Sequence, residues 1–102
     1  MSENSDKIEI QSITSPGHTQ RVNLAKYSAM RKALIAILPA DLPGITVPEA
    51  KQALLPHLPN DLFPGGEKAG WWLKAVQLDL EAKYVIKRGP DKPVRLFLFT
   101  DR

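Results

Sequence analysis

Residues 67–83 most constrain what this chain can fold into, because they predict a helix with very little polar surface. One apolar face of its helical wheel holds Ala69, Trp72, Leu73, Val76 and Leu80. A second face holds Trp71, Ala75, Leu78 and Ala82. Only a narrow strip is consistently polar, and it holds Glu67, Gly70, Lys74, Gln77 and Glu81. A helix of this kind must be nearly surrounded by other elements, so we expect a central helix with one open polar strip.

A β-hairpin is predicted directly after this helix. Residues 84–88 and 94–100 have the composition of two strands, and the turn residues Gly-Pro-Asp-Lys-Pro at 89–93 form the tip between them. In the last strand Val94, Leu96 and Leu98 point one way, and Arg95, Phe97 and Phe99 point the other. Both faces are therefore apolar at its end. We expect the second face to be covered by the N-terminal strand or by another subunit.

The upstream half predicts a strand and two further helices. Ile8 and Ile10 alternate with polar residues over 7–13, which is typical of a half-buried strand. Asn23 is a good N-cap for a helix that runs to Leu38 and ends before proline. Thr46 begins a capping box for a short helix to about residue 55. Ile45 is expected to pair briefly with the hairpin, and residues 56–66 form a loop stiffened by three prolines.

The order of helix, short strand, helix, helix and hairpin over residues 23–100 resembles the winged helix-turn-helix superfamily. The resemblance implies an α+β fold: a three-helix core, a C-terminal hairpin as the wing, and here an extra N-terminal strand. Many such domains have glycine at the position of Tyr84. Tyrosine tolerates positive φ poorly, so this chain departs from the pattern there.

A second resemblance covers most of the chain. It is to a family of small, uncharacterised bacterial proteins with a domain of unknown function. It rests on Ala25-Lys-Tyr-Ser-Ala-Met-Arg31, Pro56-His-Leu-Pro59, Leu62-Phe-Pro-Gly-Gly66, Ala69-Gly-Trp-Trp72 and Val76-Gln-Leu-Asp-Leu-Glu-Ala-Lys83. The resemblance implies a stand-alone bacterial protein and brings no known activity or site.

Length and composition set the broad class. With 102 residues, 43% of them hydrophobic and 25% charged, the chain is expected to fold as one domain over 7–102, after a disordered tail at 1–6. The longest apolar run, residues 33–38, is too short to cross a bilayer. The polar, acidic N-terminus leads into no apolar signal region. We therefore expect a cytoplasmic protein that does not bind membranes.

The residue inventory does not suggest an enzyme, a metal site or a cofactor. The chain has no cysteine, which excludes disulfides and thiol catalysis. His18 and His57 are its two histidines, and neither lies in a pattern typical of a catalytic triad or metal site. The Pro-Gly-Gly sequence at 64–66 lacks the lysine and hydroxyl residues of a phosphate-binding P-loop. The expectation is a protein without a catalytic role.

The placement of charge leads to the main functional hypothesis, a DNA-binding protein that acts through the third helix and the wing as a transcriptional regulator. Residues 67–95 contain seven basic and four acidic residues, whereas residues 1–66 contain six of each. This excess fits either a solvated surface or a face that binds a polyanion such as double-stranded DNA. Groove contacts are assigned to Lys68, Lys74 and Gln77, and phosphate contacts to Arg88, Lys92 and Arg95. Glu81, on the same strip, would oppose such contacts.

A protein-interaction module is the alternative. Trp71-Trp72 is the sharpest local signal, because a tryptophan outside the core is a typical anchor at protein interfaces. The bland interpretation, in which both tryptophans are buried, stays open. The second face of the last strand, with Phe97 and Phe99, is the other candidate contact and could form a homodimer.

Overall fold

The computed structural model describes residues 7–14, 17–89 and 92–99. Within these residues the chain forms three α-helices and two small antiparallel β-sheets. The helices are α1 (Leu24–Ile37), α2 (Val47–Leu54) and α3 (Ala69–Ala82), with short 3-10 turns at Leu55–His57 and Pro64–Gly66. The strands are β1 (Lys7–Ile10), β2 (Gln20–Asn23), β3 (Ile45–Thr46), β4 (Ile86–Arg88) and β5 (Arg95–Leu98).

Some expectations fall outside this part of the chain. They concern the tail at 1–6, the middle of the hairpin tip at 90–91 and the end of the last strand at 100.

Helix α3 lies at the centre of the molecule, as its sequence predicted. It packs against α1, α2, β1 and β4. The side chains of Leu73, Val76 and Leu80 are almost completely buried, and Trp72 is 7% exposed. The same core takes Met30 and Leu34 from α1 and further residues from α2, β4 and β5. Burial of so much apolar surface is the main stabilising contribution in a domain of this size.

The larger sheet has the strand order β3-β5-β4. Ile45 pairs with Leu96, and Ile86 pairs with Leu98, so the predicted hairpin and the brief pairing at Ile45 are both confirmed. Gly44 lies so close to the Leu96 carbonyl that any side chain at position 44 would collide with it. This close approach brings β3 against β5.

The N-terminal strand is placed differently from the expectation. It ends at Ile10 rather than at 13, and it pairs with β2, a strand that the sequence analysis missed. The resulting hairpin packs against α1 and α3, with Ile10 and Val22 buried. Strand β1 therefore pairs within the same chain but does not join the sheet that holds β5. The segment of β2 has only Val22 as an apolar residue, which gave too little alternation to predict a strand.

The predicted starts of α1 and α2 are confirmed by their caps. The side-chain oxygen of Asn23 accepts a hydrogen bond from the backbone N–H of Lys26 at 2.9 Å. At α2 the Thr46 N–H donates to the Glu49 carboxylate at 2.8 Å, and the Glu49 N–H donates back to the Thr46 hydroxyl at 3.3 Å. These bonds satisfy backbone donors that a helix start otherwise leaves unpaired.

Helix α3 ends in a left-handed turn at Tyr84, which has φ of 62°. The Val85 N–H donates to the Leu80 carbonyl at 2.9 Å, and the Tyr84 N–H donates to the Glu81 carbonyl at 3.2 Å. This pair of bonds is the Schellman motif, which usually has glycine at the left-handed position. The tyrosine side chain is 69% exposed, so little burial offsets its backbone strain.

We predict that Tyr84→Gly stabilises the protein by about 0.5–1 kcal/mol. The left-handed conformation costs an L-residue about 1–2 kcal/mol, and glycine avoids this steric cost because it has no Cβ. Part of the gain is offset because glycine has greater conformational entropy in the unfolded state. Urea denaturation measures the change. Tyr84→Ala is the matched control because it retains Cβ, and equal stability of the two variants would contradict the explanation.

Candidate interaction surface

The polar strip of α3 is closed over its second half, contrary to the expectation of an open strip. Gln77 and Glu81 are each only 6% exposed. The Gln77 amide donates to Glu81 Oε2 at 3.0 Å. Arg88 donates to the same carboxylate twice, from Nε to Oε1 at 2.6 Å and from Nη2 to Oε2 at 2.9 Å. The hydrogen bonding to Glu81, together with the charge of that carboxylate, raises the pKa of Arg88 above its ordinary value.

The strand register explains why Arg88 turns toward the helix. Arg88 pairs with Leu96 and Ile86 pairs with Leu98, and both Ile86 and Leu96 are buried. Since side chains alternate along a strand, Arg88 lies on the same inner face as these two. Two of the residues assigned to nucleic acid, Gln77 and Arg88, are therefore engaged with Glu81. The i, i+4 spacing of Gln77 and Glu81 was a usable sequence signal for this bond.

A second buried carboxylate, Asp79, was not singled out from the sequence. It is fully buried. Its Oδ2 accepts hydrogen bonds from the Tyr27 hydroxyl at 2.5 Å and from Lys83 Nζ at 2.9 Å. Its Oδ1 accepts from the backbone N–H of Gln11 at 2.8 Å. Burial raises the pKa of Tyr27 well above its usual value, and the bond to Asp79 adds to this shift.

The segment after β1 is fixed to α3 by these bonds and forms one wall of a groove. The Ile13 N–H also donates to the Leu78 carbonyl at 3.2 Å. The groove has a volume of about 400 Å³, and the exposed side of α3 forms its other wall. Its lining consists of Ile10, Gln11, Ser12, Thr14, His18, Gln20, Gly70, Trp71, Lys74, Ala75 and Leu78.

Trp71 lines the groove and is 51% exposed, so the interpretation that buries both tryptophans is wrong. Its ring meets the buried ring of Trp72 edge to face, with centroids 5.1 Å apart. Trp72 contacts Phe63 in the same manner, at 6.4 Å. The exposed indole is therefore backed by a packed aromatic cluster that limits its movement.

Basic side chains surround the start of α3. Lys74 is exposed and lines the groove, and Lys68 is exposed at the residue before the helix. Lys51 of α2 reaches the same place, since its Nζ lies 3.6 Å from where a Cβ on Gly70 would be. None of the lining residues in the described part of the chain is acidic. The structure thus brings Trp71, Lys68 and Lys74 to one end of α3.

The remaining predicted residues belong to the C-terminal hairpin. Lys92 is exposed. Arg95 is half-buried and pairs with Thr46. Hydrogen bonds from Thr46 lower the pKa of Glu49, and the charge of Arg95 lowers it further, so Arg95 already has an anionic neighbour.

Phe97 and Phe99 are half-buried on the outer side of β5. Lys87 Nζ lies over the Phe99 ring, 4.6 Å from its centroid, and Lys87 is the strand partner of Phe97. A lysine of the same chain thus partly covers this face, for which we expected the N-terminal strand or another subunit.

The fold and the groove define a small α+β domain with a half-exposed tryptophan on an apolar cleft. A model of a family of unknown function, DUF6958, matches residues 7–96, and the chain belongs to this family. No curated protein and no solved structure matches the chain. Across the described residues, no helix is long and apolar enough to cross a membrane, and no group of three His, Cys, Asp or Glu residues is placed to hold a metal ion.

We predict that Asp79→Asn destabilises the protein by about 2–3 kcal/mol, because an amide has one acceptor oxygen for three donors and loses the charge that pairs with Lys83. Urea denaturation provides the measurement. Tyr27→Phe is the control, since it removes one of the three bonds and should cost about 1 kcal/mol. The explanation is wrong if Asp79→Asn costs no more than Tyr27→Phe.

Proposed function

We propose that this protein is a winged-helix module that binds a segment of a partner protein in the groove at Trp71. The winged-helix assignment is supported by the element order after residue 23 and by the strand order β3-β5-β4, in which the last strand is central. In this assignment the β4–β5 hairpin is the wing and α3 is the third helix. The proposed setting is the bacterial cytoplasm, and the proposal assigns no reaction and no cofactor.

The exposed position of Trp71 carries the proposal. A half-exposed indole leaves a large apolar area in water, although its neighbour Trp72 is buried in the core. Tryptophan is the residue type most enriched among the side chains that dominate binding energy at protein interfaces. Here the indole stands beside an apolar cleft and is backed by Trp72, so it loses little conformational freedom on binding.

The other proposed contact is less favourable. Phe97 and Phe99 are half-buried, and Lys87 lies over the Phe99 ring. A partner on this face would have to displace that lysine before it gained apolar contact. Homodimerisation through this face therefore has less support than binding at Trp71.

Peptide selection tests the main proposal. We expect a displayed library of random 12-residue peptides to yield sequences that bind the intact protein. Trp71→Ala should weaken their binding by about 2 kcal/mol or more, about thirtyfold, as expected for a central aromatic anchor. Circular dichroism and urea denaturation establish that the variant is folded.

Tyr84→Gly is the matched control, because it removes another exposed aromatic side chain that does not line the groove. It should bind the selected peptides as the parent does. Absence of any selected peptide, or equal binding by the Trp71→Ala variant, would refute the proposal.

Duplex DNA is a second candidate ligand, and the lysine cluster at the start of α3 favours it. Lys51 reaches Gly70, Lys68 precedes the helix and Lys74 lies in its second turn. Helix-turn-helix proteins place the first residues of the recognition helix in the major groove of DNA. The engagement of Gln77 and Arg88 with Glu81 counts against the original six-residue site. Binding would rest on Lys68, Lys74, Lys92 and Arg95, with Lys51 added.

A gel shift at low salt tests this candidate. If DNA is bound, the double variant Lys68→Glu/Lys74→Glu should abolish the shift, and Lys92→Glu should weaken it. Three to five phosphate contacts would give a log–log salt slope of about −3 to −5. A parent protein that shifts no duplex at low salt does not have this function.

A further inference from the structure

We propose that the segment bound at Trp71 carries one or two apolar anchor residues flanked by acidic side chains. The inference rests on the proposed function above and specifies the chemistry of the partner. It follows from the apolar floor of the groove and from the way the chain neutralises its own carboxylates on α3.

The floor of the groove selects apolar anchors. By the floor we mean three apolar lining residues: Ile10, which is buried, and Ala75 and Leu78 of α3, which are half-buried. A volume of about 400 Å³ lies at the lower end of the range for ligand pockets, which suits individual side chains better than a whole folded surface. Trp71 adds the face or edge of an indole at the side, where an aliphatic or aromatic residue gains contact area.

The charge around the groove selects acidic flanks. Helix α3 contains two carboxylates, Asp79 and Glu81, and both are buried and bonded within the chain. Lys74 lines the groove, and among the described residues no acidic side chain lines it as well. Lys51 reaches Gly70, four residues before Lys74, and Lys68 precedes the helix directly after the exposed Glu67. A basic segment would be repelled here, whereas an acidic one gains complementary potential.

The polar part of the lining suits a peptide backbone. Gln11 and Gln20 are exposed amide side chains on the wall opposite α3, and each can both donate and accept hydrogen bonds. An extended segment that placed its anchors on the apolar floor would present its backbone groups to these amides. A polyphosphate chain could use the three lysines but would leave the apolar floor unfilled.

Three synthetic 12-residue peptides test the inference. Each contains the same leucine and phenylalanine and no tryptophan, and the flanking positions are glutamate, glutamine or lysine. Binding is measured by fluorescence anisotropy of labelled peptide, with a single-stranded oligonucleotide as a fourth probe. Two rim ion pairs of ordinary strength make the glutamate peptide bind about threefold to tenfold more tightly than the glutamine peptide. The lysine peptide should bind least.

A charge-reversal variant distinguishes electrostatic attraction from nonspecific apolar binding. Lys74→Glu should weaken binding of the glutamate peptide and strengthen binding of the lysine peptide. The charge at position 74 is reversed, whereas Trp71 is unchanged. Lys32→Glu on α1 is the matched control, since it makes the same charge change at an exposed residue outside the groove lining. Added salt should weaken binding of the glutamate peptide and leave binding of the glutamine peptide nearly unchanged.

The outcomes distinguish the two proposals. Equal binding of all three peptides, lost on Trp71→Ala, would overturn the acidic preference and leave the proposed function standing. No binding of any peptide, or binding that survives Trp71→Ala, would overturn both. An oligonucleotide that binds more tightly than the glutamate peptide, and loses binding on Trp71→Ala, would assign the groove to nucleic acid instead.

Discussion

The arrangement of the N-terminal half depends on one buried carboxylate. Asp79 joins three separate parts of the chain, because it accepts hydrogen bonds from Tyr27 of α1, from Lys83 after α3 and from the backbone after β1. A buried anion is tolerated only when its lone pairs are occupied, and here three donors meet that need. The bond to Gln11 fixes the first segment of the chain against α3. Together with the bond from Ile13 to Leu78, it holds one wall of the groove in place.

The hydrogen bonds of a second buried carboxylate, Glu81, determine which part of α3 is exposed to water. Gln77 and Arg88 occupy that carboxylate, so the second half of the polar strip is covered and the hairpin is locked onto the helix. The first half stays open at Gly70 and Lys74, and Trp71 beside it is also exposed. Asp79 pairs with Lys83 and Glu81 pairs with Arg88, so the exposed end of the helix is left aromatic and cationic. The exposed end of α3 is basic because the helix's two carboxylates, Asp79 and Glu81, are buried.

Local chemistry made much of the fold predictable. The caps at Asn23 and Thr46 depend on neighbouring residues, and the enclosure of α3 follows from its own periodicity. The groove could not be predicted, because it needs Ile10 beside Leu78, and Asp79 beside Tyr27, which are 52 residues apart. The role of Arg88 also depended on strand register, which decides the face to which each side chain turns. Charge counts alone cannot distinguish a paired arginine from one in water.

The two-stranded β1–β2 hairpin gives the groove a property of its own. An isolated pair of short strands is barely stable in water, so this unit takes its order from its contacts with the two helices beneath it. Such units undergo partial opening at a lower free energy than the unfolding of the core. The wall of the groove formed by this hairpin is therefore expected to exchange its amide hydrogens sooner than α3, which carries Trp71 on the opposite wall.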